Sequence, residues 1–303
     1  MRVAILDLGT NTFNLLIADV STGNYQIVVS TREVVKLGEE GISKNLIAPA
    51  AFQRGINALA NLAEKIRENK VQRTKILATS AIREAANRNE FIAEVKKQTG
   101  IAIEIISGEE EAELIYFGNR MAVSMGQEPC LIMDIGGGSN EFIIANDTTA
   151  FWKHSFKLGV ARLLAMFKPE DPISQKTLQD IKDYLQAELQ PLLTEIQNHT
   201  VTRLIGSSGA FESVLQMIGK DNLAANKTCY DIDLADYFHI SKKTIHSTRE
   251  ERNSMPGLIP MRRDMIVLSY ILIDFILEHT PAKKISISTY SLKEGAISLF
   301  MKQ

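Results

Sequence analysis

One stretch of this chain occurs twice. Val3–Asp19 reads VAILDLGTNTFNLLIAD and Cys130–Asn146 reads CLIMDIGGGSNEFIIAN. At one constant offset Asp7 falls on Asp134, Gly9 on Gly136, Thr12 on Ser139, Ile17 on Ile144 and Ala18 on Ala145. In each copy apolar runs of strand length flank D-x-G, which predicts strand, tight turn, strand. An acid closes the first strand, and a glycine two residues on permits the turn. One difference carries charge: Asn14 stands where the second copy has Glu141. Such a repeat constrains the chain to two similar α/β halves, each opening on a hairpin. The two turns are then placed to face each other across a cleft, where ligands favour binding.

The segments after each copy fit that plan. Tyr25–Leu37 is strand-rich, and Phe52, Ile56, Leu59, Ala63 and Ile66 mark one face of a helix. A strand over Thr74–Thr79, a helix over Phe91–Gln98 ending at Gly100, and a strand over Ile101–Ile106 follow. The second half predicts a strand over Phe151–Leu158, a helix through Leu163 and Leu164, and one long helix from Leu178 to Ile196. A strand at VTRLIG, a helix from Ala210, two more helices, a strand over Lys284–Thr289 and a closing helix complete it. The boundary is expected near Met125–Glu128, between Gly126 and Pro129, giving domains 1–126 and 127–303.

Composition excludes more than it selects. The 303 residues are 45% apolar and 23% charged, with a formal net charge of −2, so neither a nucleic-acid footprint nor a membrane-seeking surface is expected. Val3–Leu6 is too short for a secretory core, and Ile266–Leu277 is too short to span a bilayer and contains Asp274, so it reads as a buried helix. Cys130 and Cys229 are far apart and fit a reduced, cytoplasmic setting. No HExxH, no Walker motif and no G-x-S-x-G elbow is present.

Five stretches carry candidate chemistry. In Gly136, Gly137, Gly138 and Ser139 the backbone N–H groups of a glycine turn can cradle an anion, or the turn is a plain tight hairpin. Duplication puts Thr10, Asn11 and Thr12 on a second such turn and two carboxylates near one cleft, which suits a phosphate ligand with Mg²⁺. In ISGEEEAELIYFG, Ser107 and Glu110 form a capping box. Glu111 lies on the face of Leu114 and Ile115 and points toward packed structure, either as a structural acid or as one that holds metal or water. In ATSAIREA, Ser80 is read as a helix cap and Arg83 as a fork for an anion or a solvated surface residue. GSSG at Gly206, Ser207, Ser208 and Gly209 is a second anion turn or a small-residue connection. Arg262 and Arg263 are expected to start a helix, either adding positive charge to the cleft or forming a solvated helix end.

In this order the motifs DLGTNTF, ATSAIREA, SGEEEAELIYFG, DIGGGSNEF, IGSSGA, PGLIPMR and SLKEGAI resemble the exopolyphosphatase/guanosine pentaphosphate phosphohydrolase (Ppx/GppA) family, over essentially the whole chain. The resemblance implies duplicated actin-like (ribonuclease H-like) α/β domains with the active site between them. It implies a phosphoanhydride hydrolase acting on polyphosphate or on guanosine pentaphosphate (pppGpp), and a homodimer. Glu111 would activate the water, and Asp7, Asp134 and Glu141 would surround Mg²⁺. Thr10, Asn11, Thr12, Arg83, Gly136–Ser139 and Gly206–Gly209 would bind phosphate. Rival readings are an ATP-dependent phosphotransferase, since fold does not fix function, and a non-catalytic polyphosphate or alarmone sensor. The chain departs from the family at Asn14, Ser291 and Lys293, where His, Gly and Arg are commoner. It also lacks the helical C-terminal region of longer members, so weak processivity on very long polymers is expected.

Overall fold

A computed structural model describes residues 1–219 and 227–301. The first half runs β1 (Arg2–Leu8), β2 (Thr12–Ser21), β3 (Asn24–Val34), α1 (Pro49–Glu68), β4 (Arg73–Ala78), α2 (Ser80–Arg83), α3 (Arg88–Thr99), β5 (Glu104–Ile105) and α4 (Gly108–Ala122). The second runs β6 (Cys130–Ile135), β7 (Asn140–Ala145), β8 (Ala150–Phe156), α5 (Val160–Phe167), α6 (Gln175–Glu188), α7 (Gln190–Asn198), β9 (Leu204–Ser207) and α8 (Gly209–Met217). It closes with β10 (Cys229–Asp233), α9 (Leu234–Ile245), α10 (Arg249–Ser254), α11 (Ile266–Glu278), β11 (Lys284–Ser288) and α12 (Leu292–Met301).

The two sheets have orders β3-β2-β1-β4-β5 and β10-β11-β9-β6-β7-β8. The repeated hairpins occupy equivalent places. β1 pairs antiparallel with β2 and parallel with β4, as β6 does with β7 and β9. Register repeats too: Asp7 stands opposite Asn14, and Asp134 opposite Glu141. The turn bond is the same in both, from Gly9 N–H to Thr12 O and from Gly136 N–H to Ser139 O, each 3.1 Å.

The apolar residues sort into a core for each sheet and a third core between them. This third core joins Val3, Ile5 and Leu16 of the first sheet to Ile132, Ile143 and Ile205 of the second, with Ala112, Ile115, Leu292 and Ile297 from α4 and α12. The two helices touch at glycines: a Cβ on Gly295 would lie 1.8 Å from Leu114 O, and one on Gly118 2.1 Å from Ser291 O. The helix α11 is buried along nearly its whole length, as expected, and its Asp274 accepts from Tyr237 Oη at 2.7 Å and Ser241 Oγ at 2.8 Å. Among the described residues no helix is long and apolar enough to cross a membrane.

Several expectations change. The long helix from Leu178 to Ile196 is two, α6 and α7, parted at Leu189. Pro191 has no N–H to donate and crowds the preceding turn, so the helix restarts there. The strand over Ile101–Ile106 shrinks to β5, and β10 was not anticipated. Arg262 ends a short 3-10 turn, and α11 starts only at Ile266. Ser80 is the first residue of α2, after Thr79, and caps nothing.

Candidate active site

The two hairpin turns meet face to face. A Cβ on Gly137 would lie 2.7 Å from Asn11 Nδ2, and one on Gly138 would lie 2.5 Å from Ser80 Oγ and 2.6 Å from Thr10 Oγ1. The glycines therefore let the first half approach, and side chains at these positions would hold the halves apart. Beside this contact a cavity of about 300 Å³ runs between the sheets. Its wall includes Asp7, Thr10, Asn11, Thr12, Glu111, Asp134, Gly136–Ser139, Glu141, Ser208 and Gly209.

Carboxylates dominate its floor. Glu111, Asp134 and Glu141 are buried. Asn14 Nδ2 donates to Asp7 Oδ2 at 3.1 Å, and Ser155 Oγ to Glu141 Oε1 at 2.7 Å. Asp134 Oδ2 accepts from Ser207 Oγ at 2.6 Å and Ser291 Oγ at 2.5 Å. These bonds fall on one oxygen of each acid. Burial and the charge of Asp134 push Glu141 up to about 7, and burial pushes Asp7 up to about 6 against the Asn14 bond. Burial and Glu141 hold Glu111 well above the ordinary carboxylate range, although Arg83 pulls the other way.

Glu111 is held by Arg83, whose Nη1 donates to Glu111 Oε2 at 2.8 Å and to Ile106 O at 3.1 Å. The Arg83 guanidinium, expected to face phosphate, is not among the groups lining the cavity; its partner is the buried acid. Gly206 and Ser207 are also absent from the wall. A Cβ on Gly206 would strike the Phe211 ring at 2.2 Å, so this glycine serves packing, and Ser207 serves Asp134. Ser208 lies on the wall with φ 67° and ψ −169°, a backbone region that side chains rarely adopt, and its Oγ donates to Ile135 O at 3.1 Å.

The wall also carries three cations, Lys293, Arg262 and Arg32. Lys293 Nζ pairs with Glu294 Oε1 at 2.9 Å. Burial works against its charge, but Glu294, Glu212 and Asp7 outweigh this and raise its pKa. Arg262 bonds Glu212 and Ser213, and Arg32 of β3 reaches across to Glu212 at 3.3 Å. Of this set only Arg262 was legible, from the paired arginines of PMRRD.

The model of the Ppx/GppA phosphatase family matches residues 16–303. The chain belongs to that family. A crystal structure of an exopolyphosphatase from Cytophaga hutchinsonii is 36% identical, with a TM-score of 0.96 over 99% of this chain and 98% of that one. Exopolyphosphatase 2 of Mycobacterium tuberculosis is 27% identical over 320 residues, 98% of each chain. The family member from Aquifex aeolicus, 23% identical with a TM-score of 0.81, shares the fold. This Ppx/GppA protein is thus a phosphoanhydride hydrolase built on two mixed α/β sheets that repeat one hairpin. Among the described residues of the Ppx/GppA chain no three His, Cys, Asp or Glu side chains form a ready cage for a metal. Mg²⁺ does not need one: it keeps waters and takes one or two carboxylates together with phosphate oxygens. Asp7, Asp134 and Glu141 line one cavity beside the two glycine turns, and such a set fits a cation that arrives with its phosphate.

Proposed function

We propose that this enzyme removes the terminal phosphate of inorganic polyphosphate by hydrolysis, with Glu111 as the group that orients and deprotonates the attacking water. The observation that carries this is a buried Glu111, fixed by Arg83 at 2.8 Å, on the wall of a cleft that also exposes two glycine turns. Water oxygen bonds to the terminal phosphorus, the bridging P–O bond breaks toward the shortened chain, and the proton of water passes to Glu111. A raised pKa brings Glu111 nearer the strength of a useful base at neutral pH. Thr10, Asn11, Thr12, Gly136–Ser139, Ser208 and Gly209 bind phosphate oxygens. Arg83 positions Glu111, and Ser207 positions Asp134. Asp7, Asp134 and Glu141 would hold Mg²⁺, which when bound neutralises charge on the phosphate oxygens.

Polyphosphate is preferred over pppGpp because the relatives at 36% and 27% identity are named exopolyphosphatases. We assign the two lobes to residues 1–126 and 127–303. The free cysteines Cys130 and Cys229 agree with a cytoplasmic setting. The test is phosphate release with Mg²⁺ from polyphosphates of several lengths, pppGpp and ATP. Glu111→Gln should lose at least about 100-fold in turnover while still binding tripolyphosphate. A variant near the normal rate would remove Glu111 from this role, and release from pppGpp alone would replace the substrate.

A further inference from the structure

Ser80 opens α2, the short element that also carries Arg83. Its side chain is buried, 2% exposed, and Oγ has no hydrogen-bond partner among the described residues. Other buried polar side chains share that condition, at Tyr25, Asn119, Gln216, Tyr230 and Arg263, but none of them lines the cleft, and Ser80 does. Leaving a buried hydroxyl unpaired is costly, so a native structure that keeps one has a use for it.

The surroundings say what the use is. Any Cβ at residue 138 would fill the space in front of both Ser80 Oγ and Thr10 Oγ1, at 2.5 and 2.6 Å. Glycine there keeps two hydroxyls of the first lobe open to the turn of the second. Ser80 and Arg83 are three residues apart on one helical turn, and Arg83 Nη1 is bonded to Glu111. The element that presents the free hydroxyl is thus tied to the acid that orients water.

We propose that Ser80 Oγ donates to an oxygen of the terminal phosphate, the one attacked in the reaction, beside Thr10 Oγ1. This rests on the hydrolase reading above, and it adds a binding residue to it. The phosphate supplies the acceptor that the protein leaves out, and Ser80 makes its bond only when substrate or product phosphate is present.

Two variants and two probes test it. Tripolyphosphate binding is measured by calorimetry on Glu111→Gln and on Glu111→Gln/Ser80→Ala, with Mg²⁺. Inorganic phosphate binding is measured on the wild type and Ser80→Ala. Both anions should bind about tenfold more weakly without the hydroxyl, as for a hydrogen bond to a charged group. The melting temperature should hold or rise, because alanine removes an unsatisfied polar group. Ser80→Cys keeps the size, exchanges O–H for a weak S–H donor, and should show the same loss should the alanine form not fold. Equal affinities, no binding of either anion, or a fall in melting temperature with affinities unchanged would overturn the proposal. Weaker tripolyphosphate with unchanged phosphate would overturn the terminal assignment. The tenfold loss in a wild type that hydrolyses none of the phosphoanhydrides would leave Ser80 standing and end the hydrolase reading.

Discussion

Asn14 and Glu141 stand at the same place in the two hairpins, each opposite an aspartate. In the first, an amide satisfies the acid; in the second, two acids confront each other, and Glu141 rises to about 7. A divalent cation beside them favours the ionised forms. Activity is therefore expected to fall as pH drops through about 7, and this limb should move to lower pH as Mg²⁺ is raised. Stability runs the other way. Carboxyl groups raised in the folded state hold their protons more tightly than in the unfolded chain. Without divalent cation the melting temperature should then fall as pH rises from 4.5, the ordinary Glu value, through about 7. Saturating Mg²⁺ should flatten the slope, and a slope of opposite sign in thermal melts would refute the assignment. Helix phase made Glu111 legible as the inward acid of its run. The partners were not legible. Asp134 is clamped by Ser291, 157 residues away, and no local pattern encodes that. Arg83 could be placed on a helix turn from sequence, but the anion it faces is set by where α4 packs.

At the scale of elements, the motifs SGEEEAELIYFG and SLKEGAI share a structural task besides their chemistry. Their glycines, Gly118 and Gly295, lie where α4 and α12 cross with backbone in contact. Gly295→Ala should cost about 1–3 kcal/mol by overpacking, read as a lower denaturant midpoint. Ser291, which starts this crossing and bonds Asp134 at 2.5 Å, should shift with it, so turnover should drop as well. A variant as stable and active as the wild type would show that the helices separate freely. Most strands, most helices and the paired hairpins could be read from periodicity and the repeat. Leu178–Ile196 could not, because both segments keep one apolar face, and only Pro191 marks the interruption. β10 escaped notice because two of its five residues are exposed and its partner β11 lies far along the chain.

Across the whole molecule, polar contacts join the lobes outside the apolar core that lies between the sheets. Arg32 meets Glu212 at 3.3 Å, Lys157 meets Glu84 at 2.5 Å, and Arg162 reaches Ile42 O at 3.1 Å. Glu212 is the anion shared by Arg32 and Arg262, and the two cations hold its pKa down against its burial. Glu212→Gln should cost only about 1 kcal/mol of stability. It should bind tripolyphosphate more tightly, with a steeper dependence on salt, because two guanidinium groups become available. Unchanged affinity in calorimetry at two salt concentrations would show that these arginines do not meet the polyanion. The two-lobe plan was legible from the repeat alone. That the two turns face each other was legible too, but the polar contacts around them were not, since each joins residues from different halves.

The packing of α12 against β1 and β2 also sets an order in time. The strand β1 is synthesised before α12, the helix that covers part of its inner face and lies far downstream in the other half of the chain. At roughly 5–20 residues per second, Val3, Ile5 and Leu16 wait tens of seconds for Leu292 and Ile297. During translation the nascent first lobe presents an uncovered apolar surface, a standing invitation to chaperones that lasts until α12 docks.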